Sequence, residues 1–104
     1  MYARLIEFSG ADPDKREQMT QTIQENVLPM LRQYDGFAGY LALYDEDRSR
    51  AKAVIFWETE ETAKAAEETL AERRRQISGG LGLTIDSEDL YEAAVVEMEG
   101  ARVT

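Results

Sequence analysis

A single tryptophan, Trp57, stands where the apolar run Val54-Ile55-Phe56-Trp57 meets the acidic, alanine-bearing segment Glu58-Thr59-Glu60-Glu61-Thr62-Ala63. Five tyrosines accompany it, and the chain has no histidine and no cysteine. These counts narrow the available chemistry. Without a thiol there is no thiolate nucleophile, no zinc–thiolate site and no disulfide. Without an imidazole, the commonest general base, the commonest metal ligand and the usual proximal haem ligand are all missing. Phenol, guanidinium and carboxylate remain. Tyr40 and Tyr44 fall on one face of a strand-like run with Ala38 and Ala42, and Tyr91 lies in another such run. Phenols lining a cavity would orient an aromatic substrate or donate a proton, although half-buried strand tyrosines that only pack are the more frequent case. Arg4 shares a face with Tyr2, Ile6 and Phe8 by period-two spacing. There its guanidinium would hold a phenolate or carboxylate, or pair with a glutamate, as arginines often do. A general base would have to be a buried glutamate of raised pKa, such as Glu7 or Glu92.

These side chains need elements to position them. Tyr2 to Phe8 reads as a first strand, broken by Gly10. Asp12 then caps a helix and Pro13 suits its first turn. Apolar residues at Met19, Ile23, Val27, Met30, Leu31 and Tyr34 recur at steps of three and four, which predicts an amphipathic helix from Pro13 to Tyr34. Pro29 should kink its last turns, and Asp35-Gly36 should end it. Phe37 to Tyr44 is a second strand, Asp45 to Arg50 a polar hairpin loop, and Lys52 to Glu58 a third strand. Thr59 caps the next helix, with Glu60 and Glu61 favoured in its first turn. Ala63, Ala66, Leu70 and Ile77 form its buried stripe, and Ser78-Gly79-Gly80 should stop it. Leu81 to Asp89 reads as a loop and Leu90 to Met98 as a fourth strand, so residues 1–99 form one domain and residues 100–104 a frayed tail.

The order βαββαβ is that of the split-βαβ, ferredoxin-like α+β fold: a four-stranded antiparallel sheet with two helices on one face. The third strand is apolar at every position from Val54 to Trp57, where a strand with one wet face should alternate. Both faces of the sheet are therefore expected to be covered. In a chain of 104 residues the cover for the second face is a second copy, giving a homodimer joined through sheet faces.

Composition excludes other partners. Twenty-one acidic residues against twelve basic ones leave a net charge of −9. That sign disfavours nucleic acid and anionic membrane surfaces. No signal-peptide core and no membrane-spanning stretch is visible, so a cytoplasmic protein is expected. Arg73-Arg74-Arg75 reads as a solvated last turn complementing the helix dipole, with an anion site as the alternative. Gly79-Gly80-Leu81-Gly82 follows a helix, where phosphate cradles precede one, and reads as a helix stop and flexible lid or dimer arm. Asp45, Glu46 and Asp47 lack calcium-ligand spacing and form a solvated turn.

Two segments carry a family resemblance. Val27-Leu28-Pro29-Met30-Leu31-Arg32-Gln33-Tyr34-Asp35-Gly36-Phe37 resembles the "leucine-proline … glycine-phenylalanine" end of the first helix in antibiotic biosynthesis monooxygenase (ABM) domains. Phe56-Trp57-Glu58-Thr59-Glu60-Glu61-Thr62-Ala63 resembles their tryptophan–acidic–Ser/Thr junction. The resemblance implies a dimeric α+β barrel. Its members include cofactor-independent oxygenases of polycyclic phenols, haem-degrading enzymes and proteins of no assigned activity. It implies that Trp57 lines the substrate cavity, the duller reading being a hydrophobic anchor. It sets Arg4 near a catalytic polar position, often asparagine, from which arginine departs. Haem chemistry is the weakest option, because no residue here replaces the axial histidine.

The expected function is thus a cofactor-independent monooxygenase acting on a small aromatic, phenolic or quinol-like substrate. Trp57 and Arg4 are its candidate catalytic residues and Tyr40, Tyr44 and Tyr91 its candidate substrate-binding residues. No flavin, haem or tightly bound transition metal is expected, for want of histidine, cysteine and a phosphate-binding glycine motif. The alternatives are a non-catalytic ligand-binding or stress-response dimer of the same fold, and a module whose outer helices bind another protein.

Overall fold

In the computed structural model, which describes residues 1–100, four strands and two helical layers follow in the order expected. Strand β1 is Tyr2–Ser9, β2 Phe37–Asp45, β3 Arg50–Trp57 and β4 Thr84–Glu92. They form one antiparallel sheet in the order β2-β3-β1-β4, with β2 and β4 as its edges. Between β1 and β2 lie a 3-10 turn, Pro13–Lys15, helix α1, Arg16–Thr22, a π-helical turn, Ile23–Val27, and helix α2, Leu28–Leu31. Helix α3 is Glu60–Gly80. No helix among the described residues is long and apolar enough to cross a membrane.

Register decides which side chains meet. Tyr2 stands opposite Trp57, Arg4 opposite Ile55 and Ile6 opposite Ala53 across β1 and β3. Tyr40 stands opposite Ile55 and Tyr44 opposite Ala51 across β2 and β3. Because side chains alternate along a strand, all of these lie on one face. The helices cover that face, and Ile6, Leu31, Ile55, Trp57, Ala63, Ala66 and Leu70 close into the main core. The opposite face carries Ala3, Leu5, Leu41, Val54 and Phe56, with Leu43 and Tyr91 exposed at 49% and 53%. The apolar run Val54-Ile55-Phe56-Trp57 of β3 therefore serves two surfaces, one under the helices and one turned outward.

Local chemistry explains the helix ends. The Asp12 carboxylate accepts the Asp14 backbone N–H at 2.9 Å and starts the 3-10 turn. At α3 the hydroxyl of Thr59 accepts the N–H of Thr62 at 3.1 Å, and the hydroxyl of Thr62 accepts the N–H of Thr59 at 3.3 Å, a reciprocal capping box. Gly36, at φ +81°, turns the chain into β2 where a Cβ would meet the Thr62 side chain at 2.4 Å.

The structure corrects several expectations. The first helical stretch ends at Leu31 instead of Tyr34, and its irregularity precedes Pro29 as the π turn. The proline ring would clash with the carbonyl four residues back, that of Glu25, and widening the turn around Glu25 relieves it. Ser78-Gly79-Gly80 does not stop α3 but belongs to it, and the reversal falls at Gly82, with φ +74°. The fourth strand is Thr84–Glu92, not Leu90–Met98, so most of the expected loop Leu81–Asp89 is strand. A bulge opposite Glu7 and Phe8 brings Ile85 and Glu88, three residues apart, to the helix-covered face. Val95 and Met98, read as strand by their hydropathy, are 85% and 63% exposed. The last tie between this segment and the sheet is the Ala93 N–H donating to the Met1 carbonyl at 2.9 Å. Of the expected tail, residues 101–104 lie outside the described residues.

Candidate functional site

The helix-covered face of the sheet is not packed solid. Ala42 on β2 and Ala51 and Ala53 on β3 are too small to reach the helices, and a cavity of about 100 Å³ remains between the layers. Ile6, Phe8 and Ile55 line it from the sheet, Met19, Ile23, Val27 and Met30 from the first helical layer, and Leu70 and Ile77 from α3. The π turn thus contributes Ile23 and Val27 to the wall. Tyr40, Tyr44 and Arg74 interrupt this apolar lining from the covered face, Thr22 adds a hydroxyl, and Lys52, which also borders the cavity, is paired with Glu7 on the outer face. The Ser78 hydroxyl also faces the cavity but donates to the Arg74 backbone carbonyl at 2.7 Å, which uses its proton.

Arg74 is the least expected of these. The triple-arginine run was read as a solvated last turn. Instead, Arg74 lies well inside α3 with its side chain 9% exposed, while Arg75 on the surface pairs with Glu72 at 2.8 Å. Arg74 donates from both terminal nitrogens to the two carboxylate oxygens of Glu67, at 2.8 and 2.7 Å, and also to Glu88 on β4. Burial works against its charge, but the bonds and fields of Glu67 and then Glu88 outweigh this and raise its pKa above the ordinary arginine value. A signal for Arg74 was present in the sequence. The buried stripe Ala63, Ala66, Leu70, Ile77 has a gap between Leu70 and Ile77, and Arg74 fills it at steps of four and three.

Arg4 lies beside this network and does not line the cavity. Its side chain is 11% exposed, and its Nε is 3.9 Å from the Glu67 carboxylate. That Nε is buried without a hydrogen-bond partner: the Glu67 carboxylate, whose two oxygens accept from Arg74, stays beyond hydrogen-bond reach of it.

Tyr40 and Tyr44 are brought together on the cavity wall, as their spacing on β2 requires. Burial first, then the field of Tyr44, pushes the Tyr40 hydroxyl up to about 12, against the opposing pull of Arg74. Tyr40 is thus a firm proton holder at neutral pH, a hydrogen-bond donor and not a base. Tyr44 carries the Arg16 guanidinium 5.0 Å from its ring centre, and Arg16 in turn pairs with Glu46 in the β2–β3 turn.

Trp57 and Tyr91 stand elsewhere. Trp57 is 1% exposed and does not line the cavity; it packs edge-on against Tyr34 and Phe37, with ring centres 6.3 and 6.1 Å away. Tyr91 projects from the outer face of the sheet. Neither glutamate considered as a base reaches the cavity: Glu7 pairs with Lys52 on the outer face at 3.5 Å, and Glu92 is exposed at the end of β4. Among the described residues no group of three acidic side chains is disposed to hold a metal ion.

The sequence matches the family model of antibiotic biosynthesis monooxygenases over residues 1–77. No curated protein matches it significantly. Solved structures match in fold. A monooxygenase from the ActVA-Orf6 gene of Streptomyces coelicolor, in complex with nanaomycin D, aligns with TM-score 0.66 at 11% identity, over 95% of this chain and 92% of its own. SnoaB, a cofactor-independent oxygenase from Streptomyces nogalater, aligns with TM-score 0.65 at 14% identity, over 94% and 97%. A dimeric ferredoxin-like protein from an uncultured marine organism aligns with TM-score 0.63 at 9% identity, over 94% and 98%.

Proposed function

Because the chain belongs to the antibiotic biosynthesis monooxygenase family, we propose that it is a cofactor-independent monooxygenase acting on a small phenolic or quinol-like ring bound between the sheet and the helices. The observation that carries this reading is the cavity itself: about 100 Å³, apolar on most sides, with two phenols on one wall. An apolar protein cavity of about 150 Å³ takes up benzene; this one is smaller but opens to solvent beside Ala42, so it holds at most a single ring. SnoaB, described as a cofactor-independent oxygenase, shares the fold.

The proposed chemistry is oxidation of a phenol by dioxygen. An electron-rich phenolate reduces O₂, one oxygen atom enters the ring, the other leaves as water, and the ring becomes a quinone: phenol plus O₂ gives quinone plus water. The apolar walls cover part of the reacting ring, and the cavity opens to solvent beside Ala42. Tyr40, held protonated, donates to the phenolate oxygen and orients the bound anion. Arg74 adds a fixed positive charge beside it, braced by Glu67 and Glu88. No carboxylate lines the cavity among the described residues. The ring that reacts is therefore one acidic enough to enter as its anion, without a protein base. Trp57 and Arg4 act in this scheme through position: Trp57 anchors the core at the end of β3, and Arg4 flanks the Glu67 that braces Arg74.

The second reading, a non-catalytic ligand-binding dimer of the same fold, gains from that missing base. One assay separates the two. Incubation of the protein with a panel of acidic one-ring phenols, with and without oxygen and with no flavin or metal added, should yield the quinone only in oxygen, with label from ¹⁸O₂ in the product. Ligand binding without oxygen incorporation across the panel would leave the binding reading. We also propose a homodimer formed through the outer sheet face, where Leu43 and Tyr91 stand exposed beside Leu41, Val54 and Phe56. The marine protein of the same fold is itself dimeric.

A further inference from the structure

A second, smaller hollow of about 10 Å³ lies next to the cavity, under the β2–β3 turn. Two side chains line both spaces, Tyr44 and Met19. Met19 is 3% exposed and built into the core, while Tyr44 is only partly buried. The Tyr44 ring is therefore the less enclosed part of the partition. It is also the part that is braced. Arg16, the first residue of α1, lies over the ring at 5.0 Å and is paired with Glu46 just beyond the end of β2. A guanidinium over an aromatic face is attractive. The pair thus clamps the ring between the helical layer and the turn.

We propose that Tyr44 sets the size of ring the cavity accepts, and that the Arg16–Glu46 pair fixes its setting. This rests on the reading of the cavity as an aromatic-ligand site. With the ring in place, the space ends after one aromatic ring. With the ring removed, the cavity and the hollow beside it become one, and a fused two-ring ligand fits. Arg16 tunes the barrier without touching the ligand, so its loss loosens the partition and does not abolish it.

The test is the ratio of dissociation constants for phenol and 2-naphthol, measured by calorimetry on folded protein. Tyr44→Ala should shift that ratio towards 2-naphthol by about tenfold, the effect of burying roughly two further CH₂ equivalents. Tyr44→Phe keeps the ring and should leave the ratio within about twofold of native. Arg16→Ala should shift it in the direction of Tyr44→Ala, by less. Should Tyr44→Ala fail to fold, Tyr44→Leu shortens the partition while keeping apolar bulk, and the same direction is expected. An unchanged ratio in a folded Ala or Leu variant, or a Phe variant behaving like Ala, would overturn the assignment while leaving the ligand site intact. Binding of neither probe by the native protein would end the ligand-site reading and this assignment with it.

Discussion

Tyr40 and Arg74 are the two polar residues whose settings matter most to the cavity. The Tyr40 hydroxyl, pushed up to about 12, keeps its proton in the folded chain through a range where an unfolded tyrosine, near 10, loses it. Between those values the native state binds more protons than the unfolded one. Stability is thus fully present below pH of about 10 and declines as pH rises towards about 12, by roughly 2–3 kcal/mol in all. Tyr40→Phe should flatten that decline in urea titrations across alkaline pH; a slope equal to the native one would contradict the assignment. Arg74 is expected to matter through its partners. Arg74→Leu leaves Glu67 and Glu88 facing one another half-buried, and should lower stability by about 3 kcal/mol. Adding Glu88→Gln should recover part of that loss, a rescue that simple loss of arginine packing would not give. Trp57→Ala, which empties a fully buried site, should cost about 3–5 kcal/mol in thermal or urea unfolding, and Trp57→Phe much less. Alternation alone put Tyr40 and Tyr44 on one wall. It could not say that Trp57, on the same face, would be taken up by Tyr34 and Phe37, because Tyr34 comes from the loop after α2 and Phe37 is set opposite Trp57 only by the register of β2 on β3.

At the scale of elements, signals that depend on neighbours in sequence were legible. The Thr59 cap, the Asp12 turn and the first three strands lie where local chemistry puts them. Thr59→Ala should therefore remove about 1 kcal/mol by unpairing the first turn of α3, and Gly36→Ala should exceed that, since it adds a clash with Thr62 to a left-handed backbone. Denaturant midpoints of the two variants give the order directly. Signals that depend on distant pairing were not legible. Hydropathy favours Leu90–Met98 as a strand, yet β1 is Tyr2–Ser9 and its partner is chosen by register, so pairing runs from Thr84 to Glu92 and takes in polar Ser87, Glu88 and Asp89. The bulge at Glu7 and Phe8 has no sequence mark, though it turns Ile85 to the helix-covered face that Leu90 and Glu88 share by alternation. Likewise Arg73-Arg74-Arg75 looks uniform in composition. Only the helical stripe distinguishes the middle arginine, and that reading requires the helix to continue past it, as it does to Gly80.

For the whole molecule, the fold has one sheet and helices on one side, and its other side carries an apolar patch of Ala3, Leu5, Leu41, Leu43, Val54, Phe56 and Tyr91 beside the Glu7–Lys52 pair. Light scattering at micromolar concentration should give twice the chain mass, and Val54→Glu on the outer face should give the single mass with secondary structure retained. A native monomer would remove the proposed sheet-face dimer. One feature of the sheet reaches further. Strand β2 is an edge, and from Phe37 to Tyr44 it bears no charge. Unpaired edge strands of this kind template the addition of another strand unless something repels it. Here the guard is electrical and belongs to the molecule as a whole: a net charge of −9 holds like copies apart. Acid that neutralises the carboxylates, or salt that screens them, would take the guard away while leaving the edge in place. Such conditions should convert clear solutions into thioflavin-positive fibrils seeded by β2, and a lysine placed at Leu43 should keep them clear.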